Sequence, residues 1–318
     1  MENVCPKIRY QKAENGLVIT ACYGNDGHIV LPDEIDGQPV VAIAPYTFSD
    51  CELSASDLVY KSRETEMFED IKRLKTTDVL SVRLPAGLKE VGRYAFYRCR
   101  NLKKLELSDG IREIGGGALT GCRGIREVEI HFLNSEKSAL KSILDEVRFS
   151  IHCTLHYKES TIEILFPEHY EEAVENTPAR NLTTAHHGSG GDYRQCFYNW
   201  ELDYKKYDEL LPRAMAEETV DVVASMAFLR LRYPFKLAET ARTEYLTYIH
   251  QNQKDIIGHL VEMEENENLK YLLSCAVTEE TLETGIESAQ EFGKTEVLSM
   301  LMDEKYRRFP KKKKTFDW

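Results

Sequence analysis

A chain of 318 residues with 42% hydrophobic and 30% charged side chains carries enough apolar material for about two cores and does not have the composition of a disordered segment. Its net charge is −12, with 18 basic and 20 acidic residues over 1–135 and 23 and 33 over 136–318. An acidic body lacks the field that gathers phosphates, which sets nucleic acid aside as a partner. No run of about 18 apolar residues offers a membrane span.

The start, Met1-Glu2-Asn3-Val4-Cys5-Pro6, has no basic segment followed by an apolar one and does not read as a secretory signal. Eight cysteines stand singly at 5, 22, 51, 99, 122, 153, 196 and 275, with no C-x-x-C pair. That usage fits reduced structural thiols and a cytoplasmic location. No metal and no cofactor is expected.

In residues 8–23, Leu17, Ile19 and Ala21 alternate with Val18, Thr20 and Cys22, which reads as a capping strand, and Gly24-Asn25-Asp26-Gly27 reads as a turn. Ile29 to Gly37 then enters a first, broken repeat marked by Leu31-Pro32, Ile43, Phe48 and Cys51. In the later copy Cys99 leads almost directly to the strand at Leu102, whereas Cys51 is parted from the strand at Val79 by about one repeat of foreign sequence. Within that insertion Met67, Phe68, Ile71 and Leu74 fall at i, i+1, i+4 and i+7, a spacing that predicts an inserted amphipathic helix.

Residues 79–130 write one pattern more than once. Leu84-Pro85, Val91-Gly92, Ala95-Phe96, Cys99, Leu102 and Leu105 are followed at one constant step (84 to 107, 91 to 114) by Leu107, Ile114-Gly115, Ala118-Leu119, Cys122, Ile125 and Val128. A fixed period of about 23 residues marks a solenoid, whose units bury their apolar faces only by stacking. Leu102-Lys103-Lys104-Leu105-Glu106-Leu107 gives the strand of each unit, with Leu105 and Leu107 inward and Lys104 and Glu106 outward. Gly92 and Gly115 suit a turn with positive φ, and Cys99 and Cys122 suit small buried positions.

The string LPAGLKEVGRYAFYRCRNLKKLEL resembles the bacterial BspA-like class of leucine-rich repeat, whose consensus is I-G-x-x-A-F-x-x-C-x-x-L. The resemblance covers residues 29–130 and implies a binding scaffold that holds another protein on its concave strands. Members of that class are often displayed on cell surfaces, an expectation this N-terminus does not share. The outward positions form two columns, Ser81, Lys104 and Glu127, and Arg83, Glu106 and Glu129. With strands about 4.8 Å apart, Arg83 is expected to pair with Glu106, leaving Glu129 open to a basic group on the partner.

Past residue 130 the period stops. Leu140, Ile143, Leu144 and Val147 predict a short helix. Val147, Phe149, Ile151, Cys153, Leu155 and Tyr157 then alternate with polar residues as one strand. A turn at 158–161 leads into Ile162 to Phe166, making a hairpin that covers the last repeat. His152 and His156 share the strand's polar face about 13 Å apart, too far to hold one metal.

Residues 176–200 are irregular. A ligand-binding or enzymatic site here would use His186, His187, Tyr193, Arg194 and Cys196 around the glycines at 188, 190 and 191. The serine lacks a G-x-S-x-G frame and the glycines no following Lys-Ser or Lys-Thr. The alternative is a connection between modules, with Cys196 buried and Phe197 and Trp200 anchoring the junction.

From Tyr204 the pattern is helical. Tyr207, Leu210, Leu211, Ala214 and Met215 make one stripe, and Val220, Val223, Ala224, Ala227, Phe228 and Leu231 make the next, stopping before Pro234. Further stripes run to Val297, Leu298, Leu301 and Met302. Residues 278–296 weakly resemble the helix–turn–helix of an ankyrin repeat, without its T-P-L-H signature. The acidic stretch 262–267 reads as a solvated turn, and Lys305, Arg307, Arg308 and Lys311 to Lys314 as a basic tail.

The expected architecture is α+β: a leucine-rich-repeat β-solenoid over 1–135, a capping helix, β-hairpin and connecting loop over 136–203, an α-helical hairpin-repeat domain over 204–309, and the tail over 310–318. The expected role is non-catalytic binding of a protein partner.

Overall fold

The computed structural model describes residues 5–52, 54–62, 71–176 and 181–310. Two compact units divide the chain, Met1–Tyr207 and Asp208–Trp318. The first begins with an antiparallel hairpin of β1 (Lys7–Ala13) and β2 (Gly16–Gly24), whose Leu17, Ile19 and Ala21 are buried. Strands β3 (His28–Val30), β4 (Glu34–Ile35) and β5 (Gln38–Ile43) carry the chain through the first repeat.

The insertion extends the N-terminal sheet. Strand β6 (Leu58–Lys61) pairs with β1, and β7 (Lys72–Arg73) pairs with Tyr23 and Gly24 of β2. The helix predicted from Met67 to Leu74 is not formed in its described part. Lys72 and Arg73 are extended there, and Leu74 is buried; Met67 and Phe68 lie outside the described residues. A two-turn helix is marginal by itself, whereas β2 offers backbone groups that need partners.

The repeats follow as β8 (Ser81–Arg83), β9 (Glu90–Val91), β10 (Lys104–Ser108) and β11 (Glu127–His131). Ser81, Lys104 and Glu127 stand side by side in parallel strands, so the step read from the sequence (81 to 104 to 127) is the step between rungs. Helix α1 (Leu140–Glu146) comes next, then β12 (Ile151–His156) and β13 (Thr161–Phe166). The alternating run after residue 147 is itself the next rung. β12 lies parallel to β11 with His152 opposite Glu127, a slightly longer step than the earlier ones, and β13 returns antiparallel to cover it. The sheet order is β13-β12-β11-β10-β8-β3. The rung was hidden because α1 replaces the Ile-Gly, Ala-Phe and Cys slots that announce each earlier turn.

Opposite the strands, the turns stack through backbone hydrogen bonds from Phe48 N to Ala95 O and Phe96 N to Ala118 O, both 2.9 Å. The Phe48 and Phe96 rings stack at 5.0 Å and 7°, and Leu119 occupies the next slot, buried. The recurrent cysteine is a donor as well as a filler: Cys99 Sγ–H points to Phe48 O at 3.4 Å and Cys122 Sγ–H to Phe96 O at 3.0 Å. The glycines at 92 and 115 serve a different end from the one expected. Positive φ falls a little later in each turn, on Tyr94 (56°) and Gly117 (73°). A Cβ on Gly92 would stand 2.4 Å from Pro45 N, and one on Gly115 2.5 Å from Arg93 N. Close approach of successive turns excludes a side chain there.

Helix α1 ends the turn ladder chemically. In earlier turns the N–H groups of Tyr46 and Phe96, in the slots of Gly117 and Leu119, reach carbonyls of the next turn; here Gly117 and Leu119 N–H each donate to the Glu146 carboxylate at 2.7 Å, and Ile114 N–H donates to Ser142 Oγ at 3.2 Å. Glu146→Ala strands two donors, with an expected cost of about 1–3 kcal/mol. Urea denaturation measures it, and an unchanged midpoint would show that water replaces the carboxylate.

The stretch read as irregular is largely structured. Strands β14 (Tyr170–Asn176) and β15 (Asn181–His187) form an antiparallel hairpin, followed by the single-turn α2 (Gly190–Tyr193) and a miniature hairpin of β16 (Phe197–Tyr198) and β17 (Glu201–Leu202). Neither long strand shows a period of 2 in its sequence, so the pattern was silent. Phe197 stacks on Phe166 at 6.0 Å, and Trp200 Nε1–H donates to Glu113 at 3.2 Å. Both contacts lie inside the first unit and dock this segment on the solenoid.

Helix α3 (Tyr204–Glu209) runs across the boundary, and the second unit continues as α4 (Leu211–Glu217), α5 (Val220–Arg232), α6 (Glu239–Gln251), α7 (Gln253–Glu262), α8 (Asn266–Ser274), α9 (Glu279–Glu291) and α10 (Thr295–Arg308). The single stripe expected from Tyr207 to Met215 is two helices, because Pro212 has no N–H to continue α3 and instead starts α4. Thr278 caps α9, accepting from Thr281 N–H at 3.2 Å. Helix α7 packs on α9, and α9 on α10.

Under α5 lies a buried ion pair. Arg230 donates from Nε and Nη2 to the two oxygens of Asp208 at 2.7 and 2.9 Å, and Tyr245 Oη donates to the same carboxylate at 3.0 Å. Arg230 Nη2 also reaches Phe235 O at 3.2 Å, satisfying a carbonyl just past the end of α5. At the basic end of α10, Lys305 pairs with Glu283, and Arg307 and Arg308 with Glu304; Lys311 to Lys314 lie outside the described residues. Among the described residues no helix is long and apolar enough to cross a membrane.

Candidate functional site

The sheet's outward face is built by register. Because β8, β10, β11 and β12 run parallel without slip, every second residue stands beside its counterpart one rung away. One column holds His28, Ser81, Lys104, Glu127 and His152; the next holds Arg83, Glu106, Glu129 and Thr154; a third holds Ser108, His131 and His156. All six residues chosen from the sequence, Ser81, Arg83, Lys104, Glu106, Glu127 and Glu129, are on this face.

These side chains form a connected network. Arg83 Nε lies 3.0 Å from Glu106 Oε1, as the columns predict. Glu106 Oε1 is also 3.0 Å from His131 Nε2. Glu129 is not open. Lys104 Nζ holds its Oε2 at 2.5 Å, and His156 Nε2 meets its Oε1 at 2.6 Å. The lysine reaches diagonally across one column and one rung, a contact that straight pairing along columns overlooks. Burial pushes the Glu129 carboxyl up, but the hydrogen bonds from Lys104 and His156 outweigh it and hold the group below its ordinary value. The same bond raises Lys104. Glu127, by contrast, is exposed.

Sequence reasoning missed the histidines. His131 and His156 stack at 4.5 Å and 8°, since the register sets them directly opposite. Treating the strand after residue 147 as a rung would have placed His156 beside His131. His152 stands apart from this pair, 3.1 Å from Glu163. Beside the network, a groove of about 360 Å³ is bordered by Asp33, Arg83, Glu106, Ser108, His131 and Leu133.

His187, Tyr193, Arg194 and Cys196 of the second candidate loop each meet different neighbours. The His186 backbone pairs with Glu171 across the β14–β15 hairpin. His187 stacks on Tyr170 at 4.4 Å and lies 3.5 Å from Glu172. Tyr193 is buried edge-on against Tyr207 at 4.6 Å. Arg194 is 2% exposed and donates to the carbonyls of Leu144, Val147, Phe149, Pro167 and Gly190. Two of those carbonyls belong to the C-terminal end of α1, where a cation is favoured; burial lowers the guanidinium to about 10. Cys196 is fully buried, as expected, with its thiol 3.8 Å from Asp192 O.

Residues 35–137 and 74–160 match the family described as BspA type Leucine rich repeat region (6 copies). Residues 35–160 are therefore a BspA-type leucine-rich repeat region, the kind of module that serves protein–protein interaction. Among solved structures, the chain is similar to the T. pallidum Leucine Rich Repeat protein (TpLRR), at 26% identity over 42% of this chain and 55% of that one, with a TM-score of 0.29. The similarity thus spans about half of that protein's length. No curated protein sequence matches the chain.

Proposed function

We propose that this protein is a non-catalytic scaffold that holds another protein on the outward face of its parallel sheet, through Ser81, Arg83, Lys104, Glu106, Glu127 and Glu129. The observation that carries this reading is the fixed polar network across adjacent rungs. Side chains already held by one another lose little entropy when a partner arrives. Within it Glu106 and Glu129 have cations beside them, which leaves exposed Glu127 as the acid for a basic group of the partner. The overall acidity of the chain supports a protein partner with Lys or Arg over nucleic acid. The α9–α10 hairpin, whose turn carries Gly293 at φ 67°, supports a second, ankyrin-like contact surface. Eight free cysteines support work in a reducing cytoplasm.

Glu127→Lys tests the reading without touching the ion pairs inside the network. Affinity capture from the native host, quantified by mass spectrometry, is expected to lose the principal bound protein by about tenfold, the worth of one good interfacial charge contact. Equal capture by the variant contradicts the assignment of this face.

A further inference from the structure

We propose that Glu129, His131 and His156 form a binding site for a divalent first-row transition ion of the zinc type. One ligand atom from each residue lies within 4.8 Å of the other two. His156 Nε2 lies 2.6 Å from Glu129 Oε1, and His131 Nε2, hydrogen-bonded to Glu106 Oε1, lies 3.7 Å from the same Glu129 oxygen. Donors bonded to one ion at about 2.0–2.2 Å stand roughly 3–4 Å apart, so an ion enters with small side-chain shifts.

The surroundings suit a metal ligand set. Thr161 Oγ1 lies 3.1 Å from His156 Nδ1. In the metal-free protein His156 Nε2–H donates to Glu129 Oε1; a bound ion would replace that proton, with the ring proton on Nδ1 and donated to Thr161 Oγ1, the arrangement that orients metal-bound histidines. Lys104 occupies Glu129 Oε2, which turns Oε1 toward the imidazoles. Glu106, 3.0 Å from His131 Nε2, supplies a second carboxylate at the rim. All three ligands stand on paired parallel strands, whose register holds the Cα atoms of His131 and His156 opposite one another. Two imidazoles and a carboxylate with no thiolate select the zinc, cobalt and nickel class over magnesium or calcium.

The test uses the full chain in reduced form at neutral pH, with zinc chloride as titrant in calorimetry and cobalt chloride in visible absorption. One equivalent is expected to bind, with cobalt showing ligand-field bands and no sulfur charge-transfer band. His131→Gln with His156→Gln is expected to weaken binding by more than about 100-fold, beyond the roughly 10–100-fold typical of losing an outer partner. His152→Gln, on the same face but outside the cluster, is expected to bind as the parent does, and circular dichroism checks that each variant is folded. Thr161→Val, which keeps all three ligands, is expected to weaken binding about tenfold. No zinc uptake, uptake retained by the double variant, or a sulfur band from cobalt would overturn the site.

Discussion

Truncating Phe96 to alanine is expected to cost about 3–5 kcal/mol, the range for emptying a buried phenylalanine site. Its ring is 1% exposed and stacked on Phe48. Its backbone also donates to Ala118 and accepts the Cys122 thiol, so a collapse there disturbs the turns on both sides. Repeat stability is held by neighbour contacts. Hydrogen exchange should therefore quicken in the turns around Phe48 and Leu119 as well as at residue 96, alongside a lowered urea midpoint. A loss below about 1 kcal/mol, an ordinary surface value, confined to one turn would contradict the stacking described above.

Asp208→Ala is expected to destabilise the helical unit by about 3–5 kcal/mol. The substitution leaves the Arg230 guanidinium, with no exposed surface, without its carboxylate, and takes the acceptor from Tyr245. Replacing both partners, Asp208→Leu with Arg230→Met, removes the stranded charge and should be far milder, since apolar substitutes for a buried pair are often neutral. Thermal denaturation of the two variants compares them directly. A double variant as unstable as Asp208→Ala would assign the cost to lost packing.

The repeat was legible because its physics is local and repeated. Leu105, Leu107, Phe96 and Cys99 each recur at the same step, as Val128, Ile130, Leu119 and Cys122, and their burial follows from stacking alone. The pairing of Arg83 with Glu106 followed from the same register. Three things were out of reach for identifiable reasons. The rung formed by β12 came late, out of step with the period, because α1 and the Glu146 carboxylate take the place of a missing turn. The Lys104–Glu129 contact runs diagonally, and no count along the chain distinguishes it from a straight pair. Arg194 looked like a loop residue awaiting a ligand, yet it serves five backbone carbonyls, and only the folded path of β13 and α1 brings those together. Gly92 and Gly115 were recognised as necessary, but for positive φ, when the need is for contact between turns.

Site-specific photo-crosslinking tests the central assignment most directly. A photoreactive residue at Ser81 or at Glu127, on the outward face, is compared with one at Lys89 or Arg98, exposed on the turns. In the native host, the two face positions should yield one and the same crosslinked protein, and the two turn positions should not yield it. Crosslinking of that protein from Lys89 or Arg98, with none from Ser81 and Glu127, would place the partner elsewhere and contradict the account.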